Sequence, residues 1–136
     1  MKKLMLLILL FILIIPLKSI AQFTLRIEIN GLRSSDGNIL LQVFDEEQNT
    51  IKDIVKGIEN DICTIVIENL KSGKYAFRYF HDENGNEEME TNWMGIPKEG
   101  FGISNNAIGL FGPKSFKKWL FELSDNKKVV CTPKYM

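Results

Sequence analysis

The chain has 136 residues, with 17 Lys and Arg balanced by 17 Asp and Glu, a single His and two Cys. That length suits one domain around one core, and the lack of excess basic charge argues against a nucleic-acid partner. The two cysteines show no CxxC or Cys/His spacing, which leaves neither a thiol redox motif nor a zinc site.

The amino terminus reads MKKLMLLILLFILIIPLKSIAQ. Lys2 and Lys3 form a positive start, Leu4 to Ile15 is an unbroken apolar run, Pro16 ends it, and Ser19 and Ala21 supply small residues before Gln22. This is the layout of a secretory signal over residues 1–21, followed by one domain over 22–136. The apolar run falls short of the roughly 20 residues needed to span a bilayer, so no membrane span is expected after cleavage. The expected location is the periplasm or the cell exterior. Cleavage would remove Lys2, Lys3 and Lys18 while all 17 acidic residues remain, for a net charge of −3. An oxidising compartment permits a bridge between Cys63 and Cys131; the alternative is two buried thiols.

Period-two alternation dominates the chain beyond Gln22. In FTLRIEIN, Phe23, Leu25, Ile27 and Ile29 share one face, the pattern of a half-buried strand. SSDGN (34–38) is turn chemistry, after which Ile39, Leu41 and Val43 alternate. DEEQNTIKD (45–53) reads as a polar connection. Cys63, Ile65 and Ile67 mark another strand, and Gly73 turns the chain into Tyr75, Phe77 and Tyr79. Residues 82–115 hold little periodicity and six of the ten glycines. Loops of that length are usually functional or disordered, and the aromatic content here predicts an ordered one. Trp119, Phe121 and Leu123 resume the alternation, SDNKK (124–128) reads as a hairpin turn, and a closing strand starts at Val129. About seven short strands without a long helical period predict an all-β, antiparallel sandwich, transthyretin-like or immunoglobulin-like, with one long ordered loop.

Leu70, Gly73, Tyr75 and Ala76 resemble strand entry in transthyretin-like and carboxypeptidase-regulatory-like sandwiches. The stretch from His81 to Phe116 resembles the signature of a family of small exported bacterial proteins catalogued as a domain of unknown function. That pattern runs H-D-x-N-x-N, then D-T-N-x-x-G-x-P-x-E-G-x-G-x-S-N-N-A. The matching residues include His81, Asp82, Asn84, Asn86, Thr91, Asn92, Gly95, Pro97, Glu99, Gly100, Gly102 and Ser104 to Ala107. Glu87, Glu90 and Lys114 depart from it. The resemblance implies an exported β-sandwich and no established activity.

HDENGNEEMETN (81–92) concentrates five carboxylates and three asparagines. A calcium ion takes about six to eight oxygens. Asp82, Asn84 and Asn86 sit at alternate positions of such a loop, and Glu88 and Glu90 extend the set. Glu87 stands where the calcium-loop glycine belongs, and Trp93 where a bidentate glutamate belongs, so this is no EF-hand. The competing reading is a turn bonded to itself, since Asx side chains cap nearby amides.

Three functional readings arise. The first is a non-enzymatic exported module whose loop, held by calcium or by its own bonds, meets a protein or glycan partner. The second is a carbohydrate-binding or adhesion domain in which Trp93, beside Asn92 and Asn105, stacks on a sugar face; the competing reading has Trp93, Met94, Ile96, Phe101, Leu110 and Phe111 cover an open end of the sandwich. The third is a hydrolase using His81 with Ser104 or Ser115 and loop carboxylates. No elbow motif surrounds either serine, and His81 and Asp82, adjacent on a strand, point to opposite faces.

Overall fold

The structure is a computed structural model that describes residues 19–136. The expected signal segment therefore lies, up to Lys18, outside the described residues. Among the described residues no helix is long and apolar enough to cross a membrane.

The described residues form ten strands in order: β1 (Gln22–Ile29), β2 (Asn38–Asp45), β3 (Thr50–Gly57), β4 (Cys63–Lys71), β5 (Gly73–Asp82), β6 (Phe101–Ile103), β7 (Ile108–Gly109), β8 (Gly112–Pro113), β9 (Phe121–Leu123) and β10 (Lys127–Cys131). A smaller sheet has the order β10-β1-β4. A larger one has the order β3-β2-β5, with β6 and β9 sharing the far edge of β5. β7 and β8 make a separate two-stranded hairpin. The inner faces carry the alternating residues expected from sequence. Leu25, Ile27 and Ile29 meet Ile39, Leu41, Val43, Cys63, Ile65, Ile67, Phe77 and Leu123 in one core, all at 2% exposure or less. The architecture is an all-β sandwich.

Two expectations from sequence are corrected. Residues 124–128 are not a hairpin turn, because β9 and β10 belong to different sheets. β9 pairs with β5, the chain crosses over, and β10 runs parallel to β1, the one parallel pair among the described strands. The Asn126 side-chain oxygen accepts the Thr24 N–H at 2.9 Å and fastens the crossing. The stretch 45–53 is also more than a connection. Asp45 Oδ1 accepts the amides of Glu47 and Asn49 at 3.0 and 2.8 Å and turns the chain into β3. β3 is an edge strand exposed at seven of its eight residues, so it presents no alternation. Its register sets Lys52 opposite Val43 and Lys56 opposite Ile39, on the core-facing side. Inward-turned charges of this kind discourage further strands from adding to an edge.

The register also decides the cysteines. Cys63 of β4 and Cys131 of β10 both lie opposite Ile29 of β1. One strand separates them, about 9–10 Å, which exceeds the roughly 7 Å that a disulfide spans between Cα atoms. Both are free thiols, and burial pushes each up to about 11.

A second core lies on the outer face of the larger sheet. Phe44 and Ala76 point away from the first core and are nevertheless buried, under Ile103, Ala107 and Trp119. Phe44 meets Phe116 and Trp119 edge-on at 6.0 and 6.3 Å between ring centres. Residues 101–120 thus fold back over the sheet they leave.

Candidate functional site

The acidic segment begins where β5 ends. Asp82 is fully buried, and its carboxylate accepts three main-chain amides: Gly85 and Asn86 on Oδ1 at 3.0 and 3.2 Å, and Glu87 on Oδ2 at 2.9 Å. Left-handed residues Gly85 and Glu87 (φ 72° and 61°) curl the chain around it. Glu99, 4% exposed, does the same from the other side. Its two oxygens accept the amides of Glu83 and Glu90 at 3.1 and 3.2 Å. A buried carboxylate is costly unless hydrogen-bonded, and here both have amide donors. Three further side-chain oxygens of the segment are engaged. Asn84 Oδ1 accepts the Asn86 amide, Asn86 Oδ1 accepts the Glu88 amide, and Glu90 Oε1 accepts the side-chain amides of Asn84 and Asn86 at 2.7 and 3.4 Å. Four of the five expected calcium ligands, Asp82, Asn84, Asn86 and Glu90, therefore come together through bonds to one another and to the main chain. Glu88 joins by its amide. Among the described residues no group of three or more His, Cys, Asp or Glu side chains is placed to hold a metal ion.

His81 lies on β5, fully buried. Nε2 is 2.8 Å from the carbonyl of Asp36, which can only accept, so the ring carries its proton there. Nδ1, at 2.9 Å, then accepts the hydroxyl proton of Tyr135, whose oxygen accepts the Arg33 amide. Neither ring nitrogen is free. Arg33 completes the group, paired with Glu83 at 2.7 Å and stacked 4.7 Å over the Tyr135 ring. Ser104 is elsewhere: its hydroxyl accepts the Phe77 amide and donates to the Trp119 carbonyl at 2.7 Å. Asn105, left-handed at φ 57°, donates its side-chain amide to the carbonyls of Lys118, Trp119 and Leu120. Gly102 crosses so close to Tyr79 that a Cβ would sit 2.3 Å from its ring. The segment that carries the family resemblance is thus largely a set of instructions for folding the loop.

The expected sugar-binding trio is divided. Asn92 Oδ1 accepts the amides of Met94 and Ile96 and closes a tight turn, with Trp93 at its tip, 92% exposed. Asn105 is committed to residues 118–120. A second tip also departs from expectation: Leu110 and Phe111, at the end of the β7–β8 hairpin, stand in solvent and, like Trp93, cover no end of the sandwich.

Between loop and sheet runs a groove of about 610 Å³ on the outer face of the larger sheet. Directly opposed residues on neighbouring strands share a face, and the register lays out the floor as two rows. Val55, Leu40, Phe80 and Phe101 form an apolar row across β3, β2, β5 and β6. Asp53, Gln42, Arg78 and Ile103 form a mixed one beside it. Gln42 Oε1 accepts both Arg78 Nε and a terminal nitrogen, at 2.9 and 2.7 Å, and the guanidinium stands 5.6 Å over Phe44. Glu87, Met89 and Pro113 of the long segment supply the walls. Sequence reasoning missed this groove, although the polar–apolar mixture at Leu40, Gln42, Arg78 and Phe80 on nominally outer positions was its trace.

Fold and loop together define a class: a β-sandwich domain whose long glycine-dotted segment is tied by buried carboxylates and roofs one sheet. The chain belongs to the family described as uncharacterized protein conserved in bacteria (DUF2141), whose model matches residues 27–131. No curated protein and no solved structure matches it.

Proposed function

We propose that the protein is a non-enzymatic exported module that works by binding, through the groove that the 82–115 segment walls. The observation that carries this reading is the apolar row Val55, Leu40, Phe80 and Phe101, left open at a size within the roughly 300–1,000 Å³ of ligand sites. The pattern of residues 1–21 supports export. The engaged nitrogens of His81 and the engaged hydroxyl of Ser104 favour binding over hydrolysis. The acidic segment serves in this reading as a self-bonded strut, since Asp82, Asn84, Asn86, Glu90 and Glu99 already accept the segment's own amides. An environment-sensitive apolar dye tests the groove. Its fluorescence should rise on binding, and Val55→Lys, at an exposed edge position, should abolish the rise without lowering Tm. An equal rise in both proteins rejects the site.

The exposure of Trp93 favours a second reading, a glycan or adhesion contact at that tip. Trp93→Ala should then lose binding on a glycan array while dye uptake in the groove is unchanged. An unaltered array removes this reading.

A further inference from the structure

The groove and the β7–β8 hairpin complement each other, and we infer that the groove's occupant is the hairpin of a second copy of this chain. The inference rests on the groove reading above and names its partner. The hairpin is a knob: Leu110 and Phe111, 92% and 103% exposed, cap a two-stranded stem. No Asp or Glu occurs between Gly100 and Phe121, whereas Lys114 lies against Gly109 of the stem and makes no ion pair among the described residues. Lys117 faces elsewhere, into a depression shared with Glu46, Glu47 and Glu122. The groove is the counterpart. One row of its floor is apolar, and beside that row lie Asp53 on the floor and Glu87 on the wall, which also make no ion pair among the described residues, while Arg78 is occupied with Gln42. An apolar knob with a lysine beside its stem meets an apolar row with two carboxylates beside it.

Placement makes the exchange mutual. Pro113 of β8 is itself a wall of the groove, so knob and slot lie side by side on one molecule. A two-fold axis between two copies then sets each knob in the other's slot, the self-complementary arrangement that closes a dimer and stops there. The edge of β3, guarded by Lys52 and Lys56, is the less suitable place for copies to join.

The test is sedimentation equilibrium on the protein recovered after export, over a wide concentration range. The wild type should form a reversible dimer. Leu110→Ser with Phe111→Ser removes the knob at positions that contribute nothing to the core, and Val55→Lys blocks the slot. Each variant should be monomeric, and mixing the two should restore association, since one keeps its slot and the other its knob. A wild type that stays monomeric overturns the inference, as does a dimer that survives loss of the knob, or two monomeric variants that fail to associate when mixed. A monomer that still takes up the apolar dye, with loss of uptake in Val55→Lys, sinks the dimer and leaves the groove reading standing. A monomer without dye uptake sinks both. A monomer that instead co-sediments with anionic vesicles through Leu110 and Phe111 overturns the inference in favour of a lipid surface.

Discussion

Single carboxylates decide whether the long segment folds. Asp82 gathers three amides and Glu99 two, whereas Glu90 binds only exposed side-chain amides. Charge-assisted bonds in a buried setting are worth roughly 1.5–3 kcal/mol each and leave costly orphans when cut. Asp82→Ala should therefore lower stability by about 2–4 kcal/mol, while Glu90→Gln should change it by less than about 1 kcal/mol. Urea denaturation of the two variants checks this, and equal midpoints would contradict the assigned roles. Asp82, Asn84 and Asn86 were legible as turn formers from residue type alone, because Asx capping is local chemistry, whereas the turn that Asn92 closes was not read. That Asp82 is buried was not legible: the turn at 34–38 closes over it, and a Cβ at Gly37 would sit 1.9 Å from the Asp82 carbonyl oxygen.

Among the elements, the smaller sheet sets the thiol chemistry. β1 stands between β4 and β10, so Cys63 and Cys131 share a row but cannot meet. With the thiols at about 11 and a reference of 9.0, the thiolate is disfavoured in the folded protein. Below about pH 9 the folded thiols therefore contribute their full share of stability, and that share is lost as pH rises from 9 through 11. At pH 8 iodoacetamide should modify both cysteines about a hundredfold more slowly than in the urea-unfolded chain, in proportion to thiolate. The mass should show two free thiols. A bridged species would refute the strand order β10-β1-β4, and labelling at the unfolded rate would refute the burial of the thiols. The inner faces of β1, β2, β4 and β5 were readable because one buried face imposes period two. β3 was not, since an edge strand exposed on both faces leaves no period to read.

Across the whole molecule, internal donors hold the roof over the sheet. The 82–115 segment is tied at one end by Asp82 and Glu99, and at the other by Ser104, Asn105 and the Phe44–Trp119 cluster. Hydrogen exchange should find the amides of Gly85, Glu87 and Glu90 protected, and that of Trp93 at the tip fast. Calcium at millimolar concentration should leave Tm unchanged; a rise reversed by chelator would mean that an ion displaces the internal donors. The ordered character of the segment was legible from its aromatics, and its position over the outer face was not.

From residues alone came the sandwich class, the inner faces of four strands, the capped turns and the presence of a long ordered segment. Each of these is written in spacing or in contacts a few positions apart. Only the tertiary structure decided the parallel placement of β10, the separation of the cysteines, the burial of Asp82 and the groove. Those features arise where segments remote in sequence meet on a shared face. Phe44 illustrates the difference: alternation sends it outward, and Trp119, 75 residues later, buries it.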